Sequence, residues 1–173
     1  RGYNKDVQSP AVAAGAAQSE AANALKNGEI VPWFQPQVST DTGEITGFES
    51  LARWIHPNRG VIEPVDFLQY LEDGHQMELL SETIMINSLK ALKSWDDAGF
   101  RVPSISVNFA TQELRNPSLV ERIKWDVDRF EIEPSRLTIE ILETVITPAE
   151  DDIIVRNIKA LREQGFKIDL DDF

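Results

Sequence analysis

The chain has 173 residues, 42% hydrophobic and 27% charged, enough for one domain with a real core and short of what two would need. Its net charge of −12 argues against a nucleic acid polymer as partner, since such binding rests on neutralising many phosphates, and leaves room for a small phosphate ligand only if a metal supplies positive charge. The lack of cysteine excludes disulfides, thiolate metal sites and a Cys nucleophile, and no apolar run approaches the ~18 residues of a membrane span.

Residues 1–18 are rich in Ala, Gly, Ser and Gln without periodicity and read as a linker. The start at Arg1, with no signal-peptide layout, and the stop at Phe173 read as a piece of a longer chain. Ser19 is a candidate cap for a short helix that Asn27-Gly28 ends. Residues 30–38 form a strand pattern broken by Pro32 and Pro36, which suits an edge, with Trp33, Gln35 and Gln37 on one face. Asp41-Thr42-Gly43 then marks a turn and predicts a hairpin with the next strand.

That strand carries an acid and a base within an apolar run. Alternation puts Gly47, Glu49, Leu51 and Arg53 on one face and Phe48, Ser50, Ala52 and Trp54 on the other. Four residues separate Glu49 from Arg53 by roughly 13 Å, suited to the two ends of one anionic ligand, although a charged strand end reaching solvent would look the same. His56-Pro57-Asn58-Arg59-Gly60 is a loop by composition. Helices are predicted from Pro64 to before Gly74 and from Met77 to Asp97, the second with Leu80, Ile84, Ala91 and Trp95 on its apolar side.

Two strand–helix units follow. A strand over 104–109 alternates Ile105, Val107 and Phe109 against Ser104, Ser106 and Asn108, and Asn116-Pro117 opens a helix with a stripe of Val120, Ile123, Val127 and Phe130. A strand over 137–141 alternates apolar residues against Thr138 and Glu140, and Thr147-Pro148-Ala149-Glu150 has the capping-box form of a helix start that Gly165 terminates. The last strand, 166–172, sets Phe166, Ile168 and Leu170 against Lys167, Asp169 and Asp171. All four tryptophans, Trp33, Trp54, Trp95 and Trp125, read as core, and His56 and His75 as structural or loop residues.

Strands alternating with helices, one strand face polar, argue for a parallel α/β barrel whose chemistry sits at the C-terminal strand ends. About five strands are present. Glu49, Asn108, Glu140, Asp171 and Asp172 fall at or near such ends, an all-oxygen set that matches Mg²⁺ or Mn²⁺. A divalent cation would offset their mutual repulsion, and a pair of cations could drive in-line displacement at phosphorus. The same carboxylates could also be cap and loop-edge groups with no shared role.

These residues carry a family resemblance. Glu49-Ser50-Leu51-Ala52-Arg53-Trp54 resembles the E-A-L-x-R-W signature of EAL-domain cyclic di-GMP phosphodiesterases. Phe34-Gln35-Pro36, Trp54-Ile55-His56-Pro57, Val107-Asn108-Phe109-Ala110, Glu140-Ile141-Leu142-Glu143 and Asp171-Asp172-Phe173 resemble further motifs of that family in the right order. The resemblance implies a TIM-like (βα)₈ barrel variant with an antiparallel first strand, occupying residues 19–173 as the N-terminal portion of the domain. It implies a cytoplasmic domain that hydrolyses cyclic di-GMP to linear pGpG with Mg²⁺ or Mn²⁺. By position, Glu49, Asn108, Glu140, Asp171 and Asp172 would be metal ligands, with Glu49, Asp171 and Asp172 catalytic. Gln35 and Arg53 would bind substrate, and Glu143 would brace the loop after the Asp-Asp strand. A homodimer and an upstream sensor or GGDEF-type module are the implied partners.

Ser50 replaces the signature Ala, Leu142 replaces a Thr, and Asp169 adds a carboxylate. The family's later motifs have no counterpart before Phe173, so this stretch is expected to supply only part of a complete site. A degenerate family member that binds cyclic di-GMP or a partner protein without hydrolysis is the main alternative, and an unrelated barrel enzyme acting on another phosphorylated substrate is a third.

Overall fold

The computed structural model describes residues 10–142 and 152–171. Its order is α1 (Pro10–Lys26), β1 (Ile30–Val38), β2 (Ile45–His56), β3 (Gly60–Ile62), α2 (Pro64–Asp73), α3 (Met77–Asp97), β4 (Ile105–Asn108), α4 (Thr111–Leu114), α5 (Leu119–Arg129), β5 (Leu137–Leu142), α6 (Asp152–Glu163) and β6 (Lys167–Asp171), with a 3₁₀ turn over Pro134–Arg136. The strands form one sheet in the order β1-β2-β4-β5-β6, with β3 pairing separately with β2.

The predicted hairpin is present. β1 and β2 pair antiparallel, with Gln35 opposite Glu49, and the turn between them needs the left-handed backbone of Gly43 at φ +72°. β1 ends the strand order, where Pro32 and Pro36 are tolerated. From β2 onward the ladder is parallel through β4, β5 and β6, as expected of βαβ units. The fold is thus the TIM-like α/β barrel type with an antiparallel first strand.

One face of the ladder is the core. Ile105, Val107, Leu137, Ile139 and Ile141 are buried beneath Leu80, Ile84, Met85, Leu89 and Leu92 of α3 and Ile123 and Val127 of α5. The apolar side of α3 is rotated from the predicted stripe: Ala91 and Trp95 are only half-buried, and Trp95 meets Phe34 and Phe48 edge-on or tilted at 5.1 and 5.4 Å between ring centres. Arg136 ties the end of α3 to the entrance of β5, with two bonds to Asp96 at 2.6 and 2.8 Å and one to the Val102 carbonyl at 2.7 Å.

Two expectations are corrected, the linker and the tryptophans, and two features go beyond what was expected. Residues 10–18, predicted as linker, are the first half of α1, because a run dominated by Ala behind Pro10 favours helix without needing an apolar stripe. Residues 56–60 are the turn of a second hairpin, in which His56 Nδ1 accepts from the backbone N–H groups of Asn58 and Arg59, both at 3.0 Å. The short helix α4 after β4 carries too few residues to show a period. Trp33 and Trp125 are 49% and 63% exposed, respectively, each beside an arginine instead of in the core, while Trp54 is buried as expected. The predicted capping box at 147–150 lies outside the described residues.

Candidate functional site

Register decides which side chains meet. Gln35 pairs with Glu49, Glu49 with Ser106, Ser106 with Thr138, and Thr138 with Lys167. Two residues further along the strands, Asn108 pairs with Glu140, and Glu140 with Asp169. Because laterally paired residues share a face and alternate residues repeat it, Gln35, Glu49, Asn108, Glu140 and the position of Asp171 all lie on one side of the sheet, opposite the helix-packed core. Trp33, Leu51 and Arg53 belong to the same side by the same parity.

From Glu49 to Asn108 the register climbs two residues, from Asn108 to Glu140 none, and from Glu140 to Asp171 two more. In an eight-stranded barrel with a shear of about eight, points at one height climb on average one residue per strand. The four positions therefore trace a nearly level arc. Glu49 itself is not at the end of β2, which runs on to His56. It is at the end of the β2–β4 ladder, which pairs only Phe48 with Ile105 and Glu49 with Ser106. The further part of β2 is held by β1 and β3 instead.

Beyond Glu49 the gap between β2 and the residues after β4 opens into a cavity of about 490 Å³. Its lining includes Leu51, Pro64, Leu68, Glu72, Ser81 and Asn108, so it shares Asn108 with the rim and is mainly apolar. Ser50 faces the other way from Glu49, as the alternation predicts, and its buried hydroxyl bonds the Ser88 hydroxyl at 2.8 Å. That contact accounts physically for the serine in the signature.

Arg53 is half-buried, donates one bond to the Ala52 carbonyl at 2.9 Å, and lies 5.9 Å from the Trp33 ring centre. The indole restrains the guanidinium by cation–π attraction while leaving other N–H groups for a ligand. Trp33 was missed as a site residue; its alternation with Gln35 was the available signal. Glu49 and Glu140 are half-buried, whereas Gln35, Asn108 and Asp169 are exposed. Asp169, an unexplained carboxylate in the sequence, is the register partner of Glu140 on the site face.

The donor set of two carboxylates and an amide oxygen on neighbouring strands suits a hard divalent cation. Among the described residues no three His, Asp or Glu side chains converge as a metal cluster. Asp171 is described as a register position next to Leu142, and Glu143 and Asp172 lie outside the described residues. His56 is structural: its Nε2 contacts Glu20 of α1 at 2.9 Å, and Arg59 bonds the same carboxylate.

The strongest titration anomaly is off the rim. Burial pushes the Glu113 carboxyl up to about 7, against the pull of the Ser81 hydroxyl and the Arg122 guanidinium. Burial also raises Asp126, while the Arg136 hydrogen bonds hold Asp96 below its usual value.

Among curated relatives, the oxygen sensor protein DosP of Escherichia coli (strain K12) is 30% identical over 92% of this chain and 19% of its own length. The cyclic di-GMP phosphodiesterase RocR of Pseudomonas aeruginosa is 31% identical over 86% of this chain and 38% of its own length. The chain thus spans well under half of each. A solved structure described as PaMucR phosphodiesterase in complex with c-di-GMP superposes with a TM-score of 0.83 and 27% identity, covering 91% of this chain and 64% of that one. The EAL enzyme Bd1971 superposes at TM-score 0.86 with 21% identity over 96% of this chain and 46% of its own, a likeness of fold. Residues 18–173 match the family model described as EAL domain, and the chain belongs to that family.

Proposed function

We propose that this chain contributes the first wall of a phosphodiesterase site that binds cyclic di-GMP and hydrolyses one of its phosphodiester bonds to give linear pGpG. The observation carrying this reading is the level arc of Glu49, Asn108, Glu140 and Asp171 beside an apolar cavity large enough for a purine. One end of the ligand then meets oxygen donors and the other meets apolar surface. The relatives named as cyclic di-GMP phosphodiesterases support the same substrate.

In this reading Glu49, Asn108, Glu140, Asp171 and Asp172 would hold Mg²⁺ or Mn²⁺, and such a cation would supply water activation and charge stabilisation for displacement at phosphorus. Arg53, steadied by Trp33, clamps a phosphate oxygen with its remaining donors. Gln35, cross-strand from Glu49, donates its amide to the same molecule. The cavity takes one base through Leu51, Pro64 and Leu68, excluding water from one side of the ligand. Glu143 braces the loop that follows the Asp-Asp strand. The domain works in the cytoplasm, joined to a sensor or GGDEF-type module and to a second copy of itself.

The full-length protein with Mn²⁺ should convert cyclic di-GMP to pGpG, read by chromatography of the products, and Glu49→Ala should reduce turnover at least a hundredfold while circular dichroism is unchanged. Binding without turnover would make the domain a receptor, and undiminished turnover in the variant would remove Glu49 from the mechanism.

A further inference from the structure

Cyclic di-GMP is a sugar–phosphate macrocycle from whose opposite ends two guanine bases project, and in the reading above the cavity seats one of them. The second base needs a flat apolar surface on the other side of the clamped phosphate. Register supplies one. Trp33 of β1 pairs with Leu51 of β2, so both stand on the site face at one height. Glu49 pairs with Ser106, and two residues further along the same register brings Leu51 level with Asn108, the far bank of the cavity. Trp33 therefore lies across β2 from the cavity, one interstrand spacing of about 4.8 Å beyond Leu51.

The side chain is open where a tryptophan is ordinarily covered. Trp33 is 49% exposed, whereas Trp54 of the same hairpin, on the opposite face, is buried with its ring against Phe67. The strand neighbours of Trp33 on the site face are Gln35 and Val31, and Val31 pairs with Arg53. The Arg53 guanidinium lies 5.9 Å from the indole centre and spends one donor on the Ala52 carbonyl. A phosphate held by Arg53 is thus delivered beside the indole. Any base can stack on an aromatic ring because each presents a π-face, and a guanidinium alongside adds cation–π attraction.

We infer that Trp33 is the stacking platform for the second guanine, so that cyclic di-GMP lies astride β2 with its bases on either side of Leu51 and a phosphate at Arg53. The inference rests on the cavity being the site of the first base. It gives Trp33 a contact of its own with the ligand, beyond steadying Arg53. It also gives β1, an end strand that carries no carboxylate, a specific part in recognition. Gln35 and Trp33 meet the ligand from one side of β2, and the cavity wall meets it from the other.

The test is titration of the full-length protein with cyclic di-GMP in EDTA, followed by calorimetry and by tryptophan emission, which guanine quenches on stacking contact. Trp33→Ala should weaken binding about tenfold, the size of one base–aromatic stack. Trp33→Phe keeps a ring and should bind within about threefold of wild type. It should nevertheless lose most of the ligand-induced quench, because Trp54 faces the other side of β2 and Trp95 and Trp125 belong to α3 and α5. A role exerted only through packing or through Arg53 would leave the quench the same in wild type and Trp33→Phe. That result, or folded Trp33→Ala binding within twofold of wild type, overturns the inference alone. If circular dichroism shows the Ala variant unfolded, the quench in the Phe variant decides. No binding by the wild type in EDTA and no turnover with Mn²⁺ overturns the reading of the site and this inference with it.

Discussion

Ser50 of β2 and Ser88 of α3 share a 2.8 Å hydroxyl bond in the buried layer between sheet and helix, on the opposite side of the strand from Glu49. Ser50→Ala, which restores the family's signature, should leave the Ser88 hydroxyl buried without its partner and cost about 1 kcal/mol. The double variant Ser50→Ala/Ser88→Ala should regain most of that. Thermal melts of the three variants check the pattern; equal melts for the single and double variants would deny the coupling.

Gly47 is fixed by a close approach. A Cβ there would lie 2.6 Å from the Ser104 carbonyl oxygen and 2.5 Å from its hydroxyl, where Ser104 also accepts from Phe48 N and donates to the Thr46 carbonyl. A backbone atom cannot swing aside, so Gly47→Ala should push β4 from β2 and cost roughly 2–3 kcal/mol, read as a lowered denaturant midpoint. A midpoint unchanged within error would show that the β2–β4 seam adapts.

Arg136 is nearly buried, and its loss would strand Asp96 and the Val102 carbonyl. Arg136→Ala should cost on the order of 3 kcal/mol by chemical denaturation. The depressed Asp96 carboxyl makes a contribution that is present above its unfolded value and lost as pH falls through its folded one. Asp96→Asn should therefore flatten the acid limb of stability below about pH 4.

Glu113 works in the opposite sense. Its folded value, raised to about 7 from 4.5, means the folded protein binds more protons than the unfolded chain between those limits. Stability therefore falls as pH rises from 4.5 to 7, by on the order of 3 kcal/mol. Asp126 adds to the same trend. Glu113→Gln should remove most of the slope and be more stable than wild type at pH 8; melts across that range measure it, and an unchanged slope would assign the trend elsewhere.

The barrel-type sheet was legible because strand alternation and helix stops are local signals: Pro64, Gly74, Met77 and Asp97 fall where the structure has them. The site face was legible for the same reason, since parity along β2, β4 and β5 already aligned Glu49, Asn108 and Glu140. What the residues could not reveal depends on contacts distant in sequence. Glu113 carries no periodic or motif signal in the sequence, and its burial depends on α3 and on Arg122 of α5, while Trp33 reads as core until the cross-strand register sets it beside Arg53. The Ala-rich start of α1 carried no stripe to distinguish a helix from a tether.

The two-residue ladder between β2 and β4 leaves a slit in the wall of the domain, and the cavity is that slit widened. A base seated there would take the place of missing strand contacts, touching Leu51 on one bank and Asn108 on the other. The ligand would then act as a wedge that is also a brace, so occupancy and mechanical integrity of this seam rise together. Amide exchange along the slit, more than along the fully laddered β4–β5 pair, is where the arrival of the nucleotide should register.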